Sequence, residues 1–487
     1  MNTDLTKVQK DWAVFLPAMS SFFARDIGKA KHEDDYVLPE RVPKKFEHGI
    51  QGLNYIEPKD TYFNYKWNLY SAGHADLNMT KFSVRDDIIR NRNRANNWLL
   101  GDSGGFQIGK GVWEGDWKDP ACPKARKKRE QVLTWLDANM DYGMILDIPA
   151  WVSRSPEGAK ASNINSYQEA VNGTKINNDY FMKNRKGDCK FLNVLQGENF
   201  QQADDWYAQM KDYCDPKKYP STHFNGWSMG GQNMCDIHLA LKRLVALRFD
   251  GLLEKGVHDV VHFLGTSKLE WAVLLTDIQR AIRKYHNPNL MITFDCASPF
   301  LACANGQIYI DIEIKDRKKW VYRMQASADN KKYKPDPRTF KDAVLEEKIF
   351  KSFRDSPISK RLMLDDVCCY SPGELNKMKN DPKTSWDSFS YTLQMAHNVW
   401  MHITAVQEAN EAYDKGIYPS MLLQEQFDRV AFKDIVEAIF ATSNRDEANA
   451  VIEEFSRYWM SIIGTRGATG KKTVNASTQF ANLFEEE

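Results

Sequence analysis

LMITFDCAS, residues 290–298, is a short apolar run that ends in an acid and small residues. Five earlier runs share that grammar: NWLLGDSGG (97–105), YGMILDIPA (142–150), KFLNVLQG (190–197), FNGWSMGG (224–231) and DVVHFLGTS (259–267). Between them lie longer stretches with apolar residues at helical spacing, such as ADDWYAQMKDYC (203–214) and DIHLALKRLVALRF (236–249). Short apolar runs bounded by turn residues are buried strands, and strands alternating with amphipathic helices make the βα units of a parallel sheet. WAVFLPAMSSFF (12–23) and YFNYKWNLYSA (62–72) supply two further strands. Eight strands close a TIM (β/α)8 barrel. A doubly wound open sheet is the competitor, but no G-x-G-x-x-G turn opens any helix.

The fold expected is therefore α/β, a TIM barrel with insertions and a helical C-terminal region. Its main catalytic part spans 1–304. Residues 305–365 break the rhythm with Lys-rich sequence and the two prolines of KPDPR, and form a basic insertion. Residues 366–463 hold a metal-site-like segment and the helices that complete the barrel, among them a long helix from Ser388 to Lys415 stopped by Gly416. The tail, 464–487, is expected to be loosely ordered.

Bulk properties bound the function. With 42% hydrophobic and 27% charged residues the chain is an ordinary globular one. No basic start leads into an apolar stretch, and no apolar run approaches the ~20 residues of a membrane helix, so a cytoplasmic protein without membrane attachment is expected. Eight cysteines in 487 residues are too sparse for a disulfide framework. The net charge of +1 is unevenly spread: Asp311 to Arg361 holds 15 Lys or Arg against 9 Asp or Glu, and so carries +6. A basic segment of that kind suits phosphate contact, and KARKKR (124–129) suits a solvated helix start.

In a TIM barrel chemistry sits at the carboxyl ends of the strands. Here those ends carry Asp102, Asp147, Gln196, Ser228 before Gly230 and Gly231, Gly265 before Thr266, and Asp295. Singly each could be structural, an Asp capping the next helix or a glycine permitting a turn. Together, carboxylates and a Gln around a Gly-Gly backbone can hold a planar heterocycle such as guanine. The remaining aspartates can then act as the paired carboxylates of retaining glycosidases do, one as nucleophile and one as acid and base.

DSGGFQ (102–107), Gln196-Gly197, GWSMGG ending at Gly231, LGTS around Gly265, and FDCASP followed by NGQIY resemble, in order and spacing, the tRNA-guanine transglycosylase superfamily over roughly residues 90–310. The resemblance makes Asp295 the nucleophile that attacks C1′ and expels guanine, and Asp102 the general acid and base. It makes Asp147, Gln196 and the Gly230-Gly231 backbone the readers of the base edge and Phe106 its stacking partner, with Ser103, Gln107 and Gly265 also around the base. Where the family has a Cys two residues after the base-reading Asp, this chain has Pro149.

The family's zinc motif, C-x-C-x2-C and then His after 25 residues, aligns here with Asp366, Cys368, Ser371 and His397. Asp366, Cys368, Cys369 and His397 are competent zinc ligands. Two readings stay open: a structural zinc on those four residues, or a lost site with His397 as a hydrogen-bonded helix histidine. The altered motif, the basic insertion and the Trp-rich loops resemble the phage-type members that place 7-deazaguanines in DNA. The resemblance thus implies DNA as partner, with tRNA as the alternative, a 7-cyano- or 7-aminomethyl-7-deazaguanine as incoming base, and room for a homodimer. A non-catalytic nucleic-acid-binding paralogue is the other-class reading, and its mark would be a missing nucleophile.

Overall fold

The computed structural model describes residues 3–33, 36–315, 317–318, 320–327, 336–346, 352–369, 385–423 and 430–462. All eight expected strands are present: β1 (Val14–Pro17), β2 (Trp67–Ser71), β3 (Trp98–Asp102), β4 (Tyr142–Met144), β5 (Lys190–Leu195), β6 (Gly226–Met229), β7 (Val260–Phe263) and β8 (Met291–Cys296). They form one parallel sheet in the order β1-β8-β7-β6-β5-β4-β3-β2. The seam between β1 and β2 is joined by the Ala18–Leu69 bridge, with Met19 N–H donating to Leu69 O at 3.0 Å. The sheet is thus a nearly closed α/β barrel of TIM type.

Each strand is followed by a helix: α1 (Ser21–His32), α2 (Asp87–Arg90), α3 (Pro123–Asn139), α4 (Tyr167–Asn184), α5 (Phe200–Met210), α6 (Ile237–Phe249), α7 (Leu269–Tyr285) and α8 (Ser388–Asp414). Their starts follow from local chemistry. Ser20, Ser166, Asn199, Asp236 and Asp387 accept backbone N–H groups of the first turns of α1, α4, α5, α6 and α8, and Pro123 opens α3. The basic start of α3 is not wholly solvated as its sequence suggests. Arg129 is buried, with Nε donating to Asn177 Oδ1 at 2.5 Å, because helical spacing turns it inward with Val132 and Leu136.

Between β8 and α8 lies the insertion. Its described part contains the antiparallel hairpin β9 (Gln307–Ile314) and β10 (Trp320–Ala326). Tyr322 O–H donates to Ser267 O at 3.0 Å, which ties the hairpin to the loop behind β7. Helix α8 runs against the strand direction. Its Asn398 amide donates to Pro299 O and Gln307 O near the barrel mouth, whereas Asp414 accepts from Trp12 just before β1, at the foot. The hairpin turn is held by Ser420 N–H on Arg317 O beyond the far end of α8, so Lys315, Arg317 and Lys318 lie toward the foot. Several of the segment's cations are ion-paired: Arg323 with Glu313, Arg338 with Asp336 and Glu346, and Lys341 with Asp355 inside it, and Arg354 with Glu408 and Arg361 with Glu47 outside it.

Helices α9 (Phe432–Ala441) and α10 (Arg445–Glu454) pack on α6 and α7, as expected of a helical C-terminal region. The tail expected at 464–487, with Ser371 and Lys319, lies outside the described residues. Among the described residues no helix is long and apolar enough to cross a membrane.

Candidate active site

On β8 the side chains alternate, so Thr293 and Asp295 share one face. The parallel register sets His262 of β7 against Thr293. Asp295 Oδ1 accepts from Gly265 N–H at 2.9 Å and lies 3.2 Å from His262 Nε2, while His262 Nδ1 is 2.8 Å from Thr293 Oγ1. Gly265 has a φ of +64°, a left-handed conformation open to glycine, and that turn aims its N–H at the carboxylate.

Asp102 ends β3 and is in register with Ser71, the last residue of β2. Ser71 O–H donates to Asp102 Oδ2 at 2.6 Å and accepts from Gly73 N–H at 3.1 Å. Burial pushes the Asp102 carboxyl above the usual range; the Ser71 and Gly104 donors pull it back, Asp295 raises it further, and His262 lowers it. The two acids thus feel each other from the ends of strands on opposite sides of the β1–β2 seam. Gly104 must be glycine: φ is +77°, and a Cβ there would stand 2.9 Å from Gly73 N.

Asp147 follows β4, and Gln196 follows β5. Gln196 Nε2 donates to Asp147 Oδ2 at 2.8 Å. Burial pushes Asp147 up to about 7, against the Gln196 hydrogen bond and with the help of Asp102. The Asp147 backbone seats directly on Gly105, where a Cβ would meet Asp147 O at 2.4 Å. Of the glycine pair, Gly230 N–H is committed to Leu195 O at 2.8 Å. Gly231, with φ +54°, donates to no backbone carbonyl among the described residues, so it alone of the two keeps an N–H for a ligand. Gln107 is buried and packs against Gly73. Phe106 is partly exposed; its ring lies 5.5 Å from that of Trp151, with Lys110 Nζ 5.7 Å away.

Two hydroxyls at the same strand ends, Ser103 Oγ and Thr266 Oγ1, are buried without a hydrogen-bond partner among the described residues. Leaving such a group unsatisfied costs about 1–3 kcal/mol, so each hydroxyl at this end of the barrel has hydrogen-bonding capacity to offer a water or a polar ligand. The structure therefore gathers Asp102, Ser103, Asp147, Gln196, Gly231, Gly265 and Asp295 at one end of the barrel. Sequence reasoning placed Thr266 at a strand end without a role, and missed His262, Ser71 and Thr293. The available signal was a His or Thr inside an otherwise apolar strand run, which calls for a partner on the neighbouring strand.

The expected zinc set is not assembled. His397 is buried, with Nδ1 2.8 Å from Ser356 Oγ and Nε2 2.8 Å from Tyr309 O, and its ring stacks on Phe353. A carbonyl only accepts, so Nε2 carries the proton and Nδ1 receives the Ser356 hydroxyl, which leaves no lone pair for a metal. Asp366 accepts from Met363 N–H at 2.7 Å as a helix cap. Cys369 Sγ lies 3.2 Å from Asp365 O, and Cys368 is buried. Among the described residues no three His, Cys, Asp or Glu side chains are placed to hold a metal ion. Of the two readings, His397 as a hydrogen-bonded helix histidine is the one this geometry favours.

No protein-family model matches the chain, and no curated protein matches it significantly.

Proposed function

We propose that this protein is a guanine transglycosylase acting on DNA, which exchanges a guanine for a 7-cyano- or 7-aminomethyl-7-deazaguanine through a covalent aspartyl intermediate. The observation that carries the reading is the pair of carboxylates, half-buried Asp102 and buried Asp295, held by separate donors at the ends of β3 and β8 beside a third, Asp147, already paired with Gln196.

In the first displacement Asp295 forms a bond to C1′ while the C1′–N9 electron pair leaves with guanine, and Asp102 supplies the proton that N9 takes. Its raised affinity for a proton suits that role. In the second, the incoming base gives its N9 proton to Asp102 as N9 displaces the Asp295 carboxylate, so configuration is retained. Asp147 as carboxylate accepts from N1–H and the 2-amino group of guanine, and Gly231 N–H and the Gln196 amide face the carbonyl side. A stacked guanine cannot reach a barrel mouth, so the target nucleotide is everted.

The choice of DNA rests on the altered zinc motif, the insertion and the Trp-rich loops of the sequence, since the basic turn does not sit at the mouth. Purified protein incubated with labelled 7-cyano-7-deazaguanine or guanine and, separately, with duplex DNA, single-stranded DNA and tRNA tests both parts. Label in DNA supports the proposal, label in tRNA alone moves the substrate to tRNA, and label in no polymer overturns the activity.

A further inference from the structure

We infer that His262 is a positioning residue that, together with the Gly265 N–H, clamps one oxygen of Asp295 and thereby selects the other, Oδ2, as the attacking atom. The inference rests on the proposed role of Asp295 as nucleophile.

Both donors near the carboxylate address the same oxygen: Gly265 N–H at 2.9 Å and His262 Nε2 at 3.2 Å both meet Oδ1. The carboxylate is therefore fixed in rotation with Oδ2 turned away from both. For His262 to donate, its proton must be on Nε2; the Asp295 carboxylate only accepts, which favours that tautomer, and the Thr293 hydroxyl, 2.8 Å from Nδ1, then donates to the other ring nitrogen and orients the ring. The chain has fixed this arrangement in its strand register. His262 and Thr293 are paired positions of β7 and β8, and Asp295 follows Thr293 by two residues on the same face. His262 and Thr293 are fully buried, so the imidazole reaches substrate only through Asp295.

The clamp also has a chemical direction. When Oδ2 bonds C1′, Oδ1 becomes an ester carbonyl oxygen and keeps the same two donors. When the incoming base displaces Asp295, the electron pair of the C1′–Oδ2 bond returns to the carboxylate, and both donors meet that returning charge. Donors waiting where charge develops aid the step that creates it. The second displacement should therefore depend on His262 more than the first.

The full-length enzyme serves for every test. Long-range proton–nitrogen NMR of histidine-labelled protein, with the His262 signal identified by its disappearance in His262→Gln, should show Nε2 protonated. Protonation on Nδ1 instead would overturn the inference whatever the activity proves to be. Kinetically, His262→Phe removes the donor while filling the space, and His262→Gln keeps an N–H. His262→Phe should lower kcat by about 10- to 100-fold, with KM for the base within about twofold, because loss of orientation acts on the bond-making step. The covalent adduct should accumulate because its release is slowed more than its formation, and His262→Gln should recover a measurable part of kcat. Wild-type kcat in a folded His262→Phe protein would overturn the inference. Should His262→Phe not fold, Thr293→Val, which removes the hydroxyl that orients the ring at Nδ1, is expected to lower kcat severalfold, and an unchanged kcat there overturns it equally. A wild-type protein that labels no polymer defeats the transglycosylase reading instead, and the tautomer measurement still decides whether His262 clamps Asp295.

Discussion

Replacing Asp147 with Asn should make the protein more stable, and increasingly so as pH rises from about 4 to 7. Burial moves this carboxyl from 3.8 to about 7 in the folded state, a difference of about three pK units. Each unit is worth about 1.36 kcal/mol, so ionising Asp147 inside the barrel disfavours folding by up to ~4 kcal/mol relative to an unfolded chain in which it ionises freely. The sign follows from which state holds the proton. Between these two pK values the folded state binds the extra proton, so stability is greatest below about 4, falls as pH rises through 7, and then levels. The asparagine side chain is isosteric, keeps an oxygen for the Gln196 amide, and does not titrate. Urea unfolding of wild type and Asp147→Asn at pH 4.5, 5.5, 6.5 and 7.5 should therefore give a stability gap in favour of the variant that widens by about 1 kcal/mol per pH unit on the approach to neutrality. Guanine binding should move oppositely. An asparagine places an N–H₂ where the base needs an acceptor, and loss of a charged hydrogen bond of ~1.5–3 kcal/mol weakens base affinity by about 10- to 150-fold. In the wild type, affinity for the base should rise as pH passes upward through 7, where the carboxylate becomes available. A stability gap that stays constant across the four pH values would refute the burial effect, and equal base affinity in the two proteins would remove Asp147 from the base edge.

Asp295→Asn should abolish exchange and the denaturation-resistant adduct on the target strand while leaving nucleic-acid affinity nearly unchanged, because a nucleophile acts in bond making; an adduct in the variant, seen as a shifted band on denaturing electrophoresis, would exclude Asp295. Neutralising Lys315, Arg317 and Lys318 together should leave the slope of log affinity for duplex DNA against log salt nearly unchanged, because the turn lies at the foot of the barrel; a slope reduced by about 0.9 for each phosphate no longer neutralised would show that DNA reaches this turn. Elemental analysis should find well under one zinc per chain, and His397→Ala should lower stability by about 2–3 kcal/mol through the orphaned Ser356 and Tyr309 partners without changing metal content; stoichiometric zinc that disappears in that variant would restore the metal site.

The strand ends were legible in the sequence because a buried parallel strand has few ways to be written: a run such as DVVHFLGTS has no polar face to spare, and its end is marked by glycine and small polar residues. All eight runs became strands, and Asp102, Asp147 and Asp295 could be located from position alone, since any residue closing a barrel strand faces the mouth. Partners could not be located this way. That His262 meets Asp295, that Ser71 supports Asp102, and that Gly231 rather than Gly230 retains its N–H depend on which strands are neighbours, on their stagger, and on hydrogen bonds between residues about 30 positions apart. Residue spacing equally allowed His397 to ligate zinc or to hydrogen-bond within the core. What separated the two was the approach of Ser356 and Tyr309 from the insertion to the two sides of one imidazole ring. Burial and strand periodicity act locally along the chain, so the barrel and the acids at its mouth can be read from the order of residues. Which atom each acid holds, and whether a histidine has a lone pair left for a metal, emerges only on folding, because a hydrogen bond is settled by distance and direction across elements far apart in the chain.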